Sequence, residues 1–359
     1  MAVDGNSLLH RSFHAQAASG LRAADGQAIW GVRGLVSQLV SAVERLDPDV
    51  VVVGFDDPRH SWRRQNWPHY KANRGEKPAT LEQQLDLAAA VLREMGVAVV
   101  VPPGLEADDV LATVAHRVAA LDGRCVVVTS DRDSFALIDE STSVLRVING
   151  GIEASPLLNP QRLELMLGIR PDQYRDLAAL RGDASDNLAG VSGFGAKTAA
   201  KLLNALGSVA AAFEDLAHGG ERVRAAVGRA AAGRLDHQAR AAWELNCQIM
   251  TMRRDVELPP GFGDGDPFGR LPLRAAALTA VCERLQLTWS LPKALRVLAH
   301  QDAPVPERVA ESFGQPGPDG WRAADGGWAA PSGPNAAGAR PGFKRLPARV
   351  LVDQLSLFD

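Results

Sequence analysis

Cysteine is scarce in this chain of 359 residues. Cys125, Cys247 and Cys282 are scattered and fit no zinc spacing, which excludes a disulfide framework or a zinc finger and leaves packing in a reducing compartment. Charge of one sign is also lacking. With 39 Lys and Arg against 42 Asp and Glu, the net charge is −3, so no global field advertises a polyanionic partner. A cluster of acids at one site would, however, mask a basic surface elsewhere. No apolar run is long enough to span a bilayer, and Asp4 interrupts the N-terminus before any signal-peptide pattern forms. The expectation is a soluble, cytoplasmic protein without a membrane partner. Its hydrophobic fraction of 46% suffices for one large or two small cores.

What is present begins with a repeated grammar: a short β-branched apolar run that stops on a carboxylate. Met1–Val3 runs into Asp4, and Val50–Phe55 runs into Asp56. Val97–Val101 leads through a Pro-Pro-Gly turn to Glu106, Asp108 and Asp109, and Cys125–Thr129 runs into Asp131 and Asp133. Val-rich runs of this length, bounded by turn residues, read as buried strands of a parallel sheet. Ligands of open α/β sheets sit beyond the carboxyl ends of the strands. Parallel strands would therefore bring these acids to one cleft, where they repel one another unless cations neutralise them. Oxygen-only ligands indicate magnesium or manganese rather than zinc. A single strand-end Asp is usually a turn starter, and Asp108 and Asp109 suit a helix N-terminus on dipole grounds alone. The shared pattern at every strand end favours the metal reading.

Helical apolar spacing over Ile29–Leu46, Leu81–Met95 and Val110–Leu121 alternates with these strands, a βαβ pattern. Asp57–Thr80 interrupts it with a long polar segment in which Arg63, Arg64, Lys71 and Arg74 are interleaved with Trp62, Trp67 and Tyr70. Such a mixture suits phosphate contacts and base stacking on a single strand, although a charge run is more often only a solvated face. From Pro156 to about Ala299 helices take over. Asn159-Pro160 starts one through Leu167, Pro171 starts another towards Leu180, and a third spans Ala196–Leu206. Before the last lie Gly190, Gly193 and Gly195, followed by Lys197-Thr198. Read blandly, this is a Gly-rich turn between packed helices. Its spacing is that of a helix–hairpin–helix, whose backbone amides bind nucleic-acid phosphates without reading bases. Asp183 and Asp186 lie just upstream.

Taken together, these segments resemble the 5′-nuclease family, comprising the N-terminal domain of bacterial DNA polymerase I and the flap endonucleases. The resemblance rests on Val3–Leu8, Phe55-Asp56, Tyr70–Arg74, Glu106–Asp109, Ser130–Asp133, Gly182–Asn187 and the Gly190–Thr198 hairpin, in the family's order over residues 1 to about 298. Ser130 stands where glycine is commoner, and Ala189 where proline is commoner. The resemblance implies a mostly parallel PIN-like α/β sheet flanked by helices. It implies a catalytic domain over 1–175 with a helical arch at about 57–80 and a helical helix–hairpin–helix region over 176–299, and composition adds a disordered tail over 300–359.

It further implies two divalent ions, Mg²⁺ or Mn²⁺. Asp4, Asp56, Glu106 and Asp108 would surround the first, and Asp131, Asp133 and Asp183 the second, with Asp108 able to bridge and Asp109 and Asp186 acting partly through water. Lys71 and Arg74 would steady the scissile phosphate, aided by Arg63 and Arg64, with Tyr70 among the DNA-binding residues. The hairpin would grip duplex DNA, with K⁺ among its carbonyls in some members. The implied enzyme is a nucleoid-associated, monomeric 5′→3′ exonuclease and flap endonuclease acting on branched or 5′-ended DNA and RNA primers. Competing readings are a PIN-like RNase, against which the hairpin and Tyr70–Arg74 argue, and an inactive DNA-binding relative, against which the retained acids argue.

Residues 301–349 are rich in Pro, Gly and Ala and read as a disordered linker, reaching about 40 Å on average for roughly fifty residues. Beyond it, Gln354, Leu355, Leu357 and Phe358 resemble the bacterial sliding-clamp-binding peptide. A frayed terminus or an edge strand is the plainer alternative.

Overall fold

In the computed structural model the described residues are 1–259, 262, 268–287 and 290–301. The clamp-peptide residues Gln354, Leu355, Leu357 and Phe358 and nearly all of the expected linker lie outside them. The chain opens with β1 (Ala2–Asp4), whose final Asp4 also caps α1 (Gly5–Gln16) by accepting from the Ser7 amide at 2.8 Å. There follow α2 (Trp30–Leu46), β2 (Val52–Gly54), the single turn α3 (Trp62–Asn66) and α4 (Ala79–Glu94). Next come β3 (Ala98–Val100), α5 (Ala107–Ala120), β4 (Cys125–Thr129), β5 (Thr142–Arg146), α6 (Gly151–Ala154) and β6 (Leu157–Leu158). The sheet order is β3-β2-β1-β4-β5-β6, parallel throughout except for the antiparallel β6.

The strands are only a few residues long yet buried on both faces, as their Val content requires. Alternation sends Val3, Val53 and Val128 into one apolar layer and Ala2, Val52 and Val127 into the other. The chain order reverses at β1, from which β2 and β3 extend one way and β4 and β5 the other. That reversal opens the crevice in which the strand-end acids meet.

The second half is helical: α7 (Pro160–Leu167), α8 (Tyr174–Arg181), α9 (Ala196–Leu206), α10 (Val209–Ala217), α11 (Glu221–Ala232, broken at Gly228) and α12 (His237–Met250). Two further helices, α13 (Ala275–Arg284) and α14 (Leu291–Leu298), return to the first half. Their Leu278, Val281, Leu295 and Leu298 join Leu35, Leu39, Leu92 and Met95 in one apolar cluster. The core therefore does not divide at the expected 175/176 boundary, and Met1–Ala303 is one compact unit.

The expected helical arch also differs. Within 57–80 the only helix before α4 is the five-residue α3, and 69–74 are hydrogen-bonded to the loop after α8. That segment has too few aliphatic residues to bury a longer helix. Among the described residues, no helix is long and apolar enough to cross a membrane.

Candidate active site

The ends of β1, β2 and β4 and the turn after β3 deliver acids, most of them positioned by neighbouring donors. Asp4 Oδ2 accepts from Thr129 Oγ1 at 2.7 Å, so β4 orients the acid of β1. Asp56 accepts from the Ala107 amide at 2.9 Å and from Asn6 Nδ2 at 2.8 Å, while Asn6 Oδ1 accepts the Asp56 amide at 3.0 Å. Asp131 accepts from the Asp133 amide at 3.0 Å. Asp183 accepts from the Ser185 amide and hydroxyl at 2.7 and 2.6 Å. Glu106 Oε2 receives Tyr70 Oη and Lys71 Nζ, each at 3.1 Å.

Asp108 differs from the rest. Its Oδ1 is buried and has no hydrogen-bond partner, the expected signature of an acid that awaits a cation. Burial, with Asp131 and Asp4 adding, holds its pKa well above the ordinary value. Burial likewise pushes Asp4 up to about 7, with Asp56 and Asp131 contributing. Asp133 is also raised to about 7, by burial and then by Asp131, Asp186 and Asp183. Mutual repulsion among unneutralised carboxylates is the common cause after desolvation.

Asp4, Asp56, Glu106, Asp108, Asp131, Asp183, Lys71 and Arg74 line one open cleft of about 1600 Å³. Among the described residues no three His, Cys, Asp or Glu side chains close into a ready-made ion cage. An open, all-oxygen site suits magnesium, which keeps several waters and takes only one or two carboxylates plus phosphate oxygens. Asp186 is buried at the cleft's edge and bound to Arg74. Lys71 adopts a left-handed φ of 55°, held by its amide bond to Asp186 O at 2.9 Å. Left-handed backbone at a residue other than glycine is uncommon and recurs at functional sites.

Three expected placements are corrected. Asp109 is fully buried, and its acceptors are already taken: Oδ1 by Arg63 Nη2 at 2.7 Å and the Arg253 amide at 2.8 Å, Oδ2 by Arg63 Nη1 at 2.8 Å and the Glu106 amide at 3.1 Å. No lone pair is left for an ion or its water. Arg63 is 4% exposed and has no donor to offer a phosphate, because Nε and Nη2 also serve the Ile249 and Thr251 carbonyls at 3.0 Å each. Tyr70 is 5% exposed and packs with Leu188 and Ile249, so its ring is no platform for a base. Arg64 is exposed and is not among the residues that line the cleft.

The hairpin joins α8 to α9. Leu188 and Asp183 exchange backbone bonds at 2.9 and 2.8 Å, closing the loop. A Cβ on Gly190 would lie 2.0 Å from Arg181 O, so only glycine permits this approach. Val191 and Phe194 are buried and anchor the loop, leaving Gly193, Gly195 and Lys197 exposed and Thr198 half-buried at the start of α9. Ser130, the departure from glycine, is accommodated by a hydroxyl pair with Ser7.

Sequence reasoning did not single out Asn6, Thr129, His10, Arg11, His14 or Arg181. Ser7, His10, Arg11 and His14 line the cleft at helical spacing on α1, a helix hidden because its apolar stripe is short. His10 is pushed down to about 4, first by burial and then by Lys77 and His14.

An acid-lined cleft at the reversal point of a parallel sheet, beside a helix–hairpin–helix, defines a nuclease. Comparison with known proteins makes the class specific. Residues 1–164 match the family described as 5'-3' exonuclease, N-terminal resolvase-like domain, and residues 169–265 match 5'-3' exonuclease, C-terminal SAM fold. The chain belongs to the 5'-3' exonuclease family. DNA polymerase I of Mycobacterium tuberculosis is 36% identical over 258 residues, covering 72% of this chain and 27% of that protein. The thermostable DNA polymerase I of Thermus aquaticus is 34% identical over 275 residues, covering 77% and 31%. The chain thus spans about three tenths of the length of these relatives. Among solved structures, T5 5'-exonuclease with bound divalent zinc ions superposes with a TM-score of 0.54 at 21% identity, covering 70% of this chain and 88% of that one. The catalytic core of Rad2 in complex with DNA substrate gives 0.52 at 17% identity, covering 83% and 90%. Both share the fold.

Proposed function

We propose that this nuclease is a 5′→3′ exonuclease and structure-specific flap endonuclease that uses two Mg²⁺ or Mn²⁺ ions on branched or 5′-ended DNA and on RNA primers. The observation that carries it is the cleft itself, where strand-end acids, one with an orphaned buried oxygen, face Lys71 and Arg74. Asp4, Asp56, Glu106 and Asp108 would hold one ion, and Asp131, Asp133 and Asp183 the other. Bound dications lower the pKa of an attacking water and stabilise the leaving oxygen. The chain's own residues do the rest. Lys71 and Arg74 place fixed positive charge at the cleft wall, where charge builds on the scissile phosphate. The hairpin amides of 193–198 hold duplex phosphates and so fix the distance from duplex to cleft. The T5 5'-exonuclease binds divalent metal ions and the Rad2 core binds DNA substrate on this fold, which supports the reading.

The test is cleavage of a 5′-labelled double-flap DNA with Mg²⁺ and then with EDTA. Release of short 5′ fragments only with Mg²⁺ is the expected result. Cleavage of single-stranded RNA alone would establish the RNase reading instead. We further assign K⁺ to the hairpin, a monomeric state to the enzyme, and sliding-clamp binding to the C-terminal peptide. The last predicts that deleting 350–359 abolishes clamp binding while cleavage of naked flaps is unchanged.

A further inference from the structure

Arg63 and Asp109 stand apart from the cleft, yet three segments around it meet at them. Arg63 belongs to α3, at the foot of the segment that carries Lys71 and Arg74. Asp109 belongs to the first turn of α5, whose start supplies Glu106 and Asp108. The guanidinium bonds both Asp109 oxygens and lies 3.5 Å from Glu106 Oε2, while Nε and Nη2 take up carbonyls at the end of α12. Asp109 in turn bonds the Arg253 amide, tying the strand of chain after α12 along α5, and Thr113 extends that seam by receiving the Val256 amide at 3.2 Å. Each Arg63 donor and each Asp109 acceptor is thereby used inside the protein.

We propose that Arg63 and Asp109 are a positioning pair. They touch neither DNA nor metal, and they lock the basic segment, the acid-bearing turn of α5 and the end of the helical half into one register. The bidentate geometry suits this task, because two parallel bonds fix orientation as well as distance. Glu106 is then held between Arg63, Tyr70 and Lys71, so a tilt of the guanidinium would move an acid and Lys71 together. The assignment rests on the nuclease reading for its effect on rate, but not for the pairing.

The experiment compares the full chain with Arg63→Gln, Asp109→Asn and the double variant, in which a neutral amide pair replaces the ion pair. On the double-flap DNA with Mg²⁺, each single variant should lose at least 10-fold in kcat with KM changed less than 2-fold. The double variant should recover at least 3-fold over either single. In EDTA, DNA affinity and its salt dependence should match the unmodified chain. A salt slope lowered by about one in Arg63→Gln would make Arg63 a phosphate contact and overturn the proposal. Loss of Mn²⁺ binding by calorimetry in Asp109→Asn but not in Arg63→Gln would make Asp109 a ligand and overturn it as well. Chemical unfolding in EDTA reads the pair without cleavage: the double variant should be more stable than each single, and additive losses would refute the pairing whether or not the chain cuts DNA. If the singles fail to fold, a folded and active double variant supports the pair, and a double variant that also fails to fold refutes it. Failure of the unmodified chain to cut the flap would sink the nuclease reading alone.

Discussion

At the scale of single residues, the cleft trades stability for chemistry. Asp108 holds a buried oxygen that nothing donates to, which costs the folded state free energy. Replacing it by the near-isosteric Asn removes the charge that burial and its neighbours oppose. Asp108→Asn should therefore raise the melting temperature of EDTA-treated protein at pH 8 while lowering Mg²⁺-dependent cleavage by orders of magnitude. A variant less stable than the unmodified chain would show that Asp108 is satisfied without metal. Gly190 shows the opposite dependence, where packing alone dictates the residue. A methyl there meets Arg181 O at 2.0 Å and Arg181 C at 2.3 Å, backbone atoms that cannot swing aside. Gly190→Ala should cost about 1–3 kcal/mol or more in urea unfolding and weaken duplex binding by displacing the hairpin.

At the scale of elements, the α/β half is completed from the far end of the chain. The apolar faces of α2 and α4 are covered by α13 and α14, whose Leu278, Cys282 and Leu298 are almost fully buried. Lys293 and Arg296 pair with Glu44 at the surface, which adds little to what burial provides. A chain ending after residue 273 should thus expose a large apolar face and aggregate, whereas one ending after 301 should fold and cut. Within that layer, Leu298→Ala should cost about 2–5 kcal/mol without changing the cleft. Circular dichroism melts with a flap assay check both, and a soluble, active chain ending at 273 would show the two helices to be dispensable.

At the scale of the whole molecule, metal, protons and stability are linked. Asp4 and Asp133, each raised to about 7 from an ordinary 3.8, keep protons that the unfolded chain has already released. Between those values the folded state binds more protons, so the metal-free contribution of these groups falls as pH rises, and the loss is complete above about 7. A bound dication replaces those protons. The difference in melting temperature between Mn²⁺-loaded and EDTA-treated protein should therefore widen from pH 6 to pH 8. Taking that difference at each pH cancels His10 and the Met1 amine, whose depressed values act on both forms. At a hundredfold excess over Kd the ion should add about 2.7 kcal/mol. A difference flat in pH would mean that no proton leaves as the ion enters.

Much of this was legible in the chain of residues. Runs such as Val50–Phe55 and Cys125–Thr129 carry their own burial and turn chemistry, so strands, helix starts and the acids at their ends follow from local rules. Gly190 likewise marks a close approach of backbone that no other residue tolerates. Partnership was not legible. Arg63 in a basic stretch and Asp109 in an acidic one have the chemistry of a phosphate contact and a metal ligand, and only folding brings them within 2.7 Å of each other and removes both from the cleft. Nor does local pattern reveal that α13 and α14 close a layer begun at α2. Charges and apolar faces declare what kind of partner they need. Which partner they receive depends on contacts far apart in the chain, and those exist only once the core has packed.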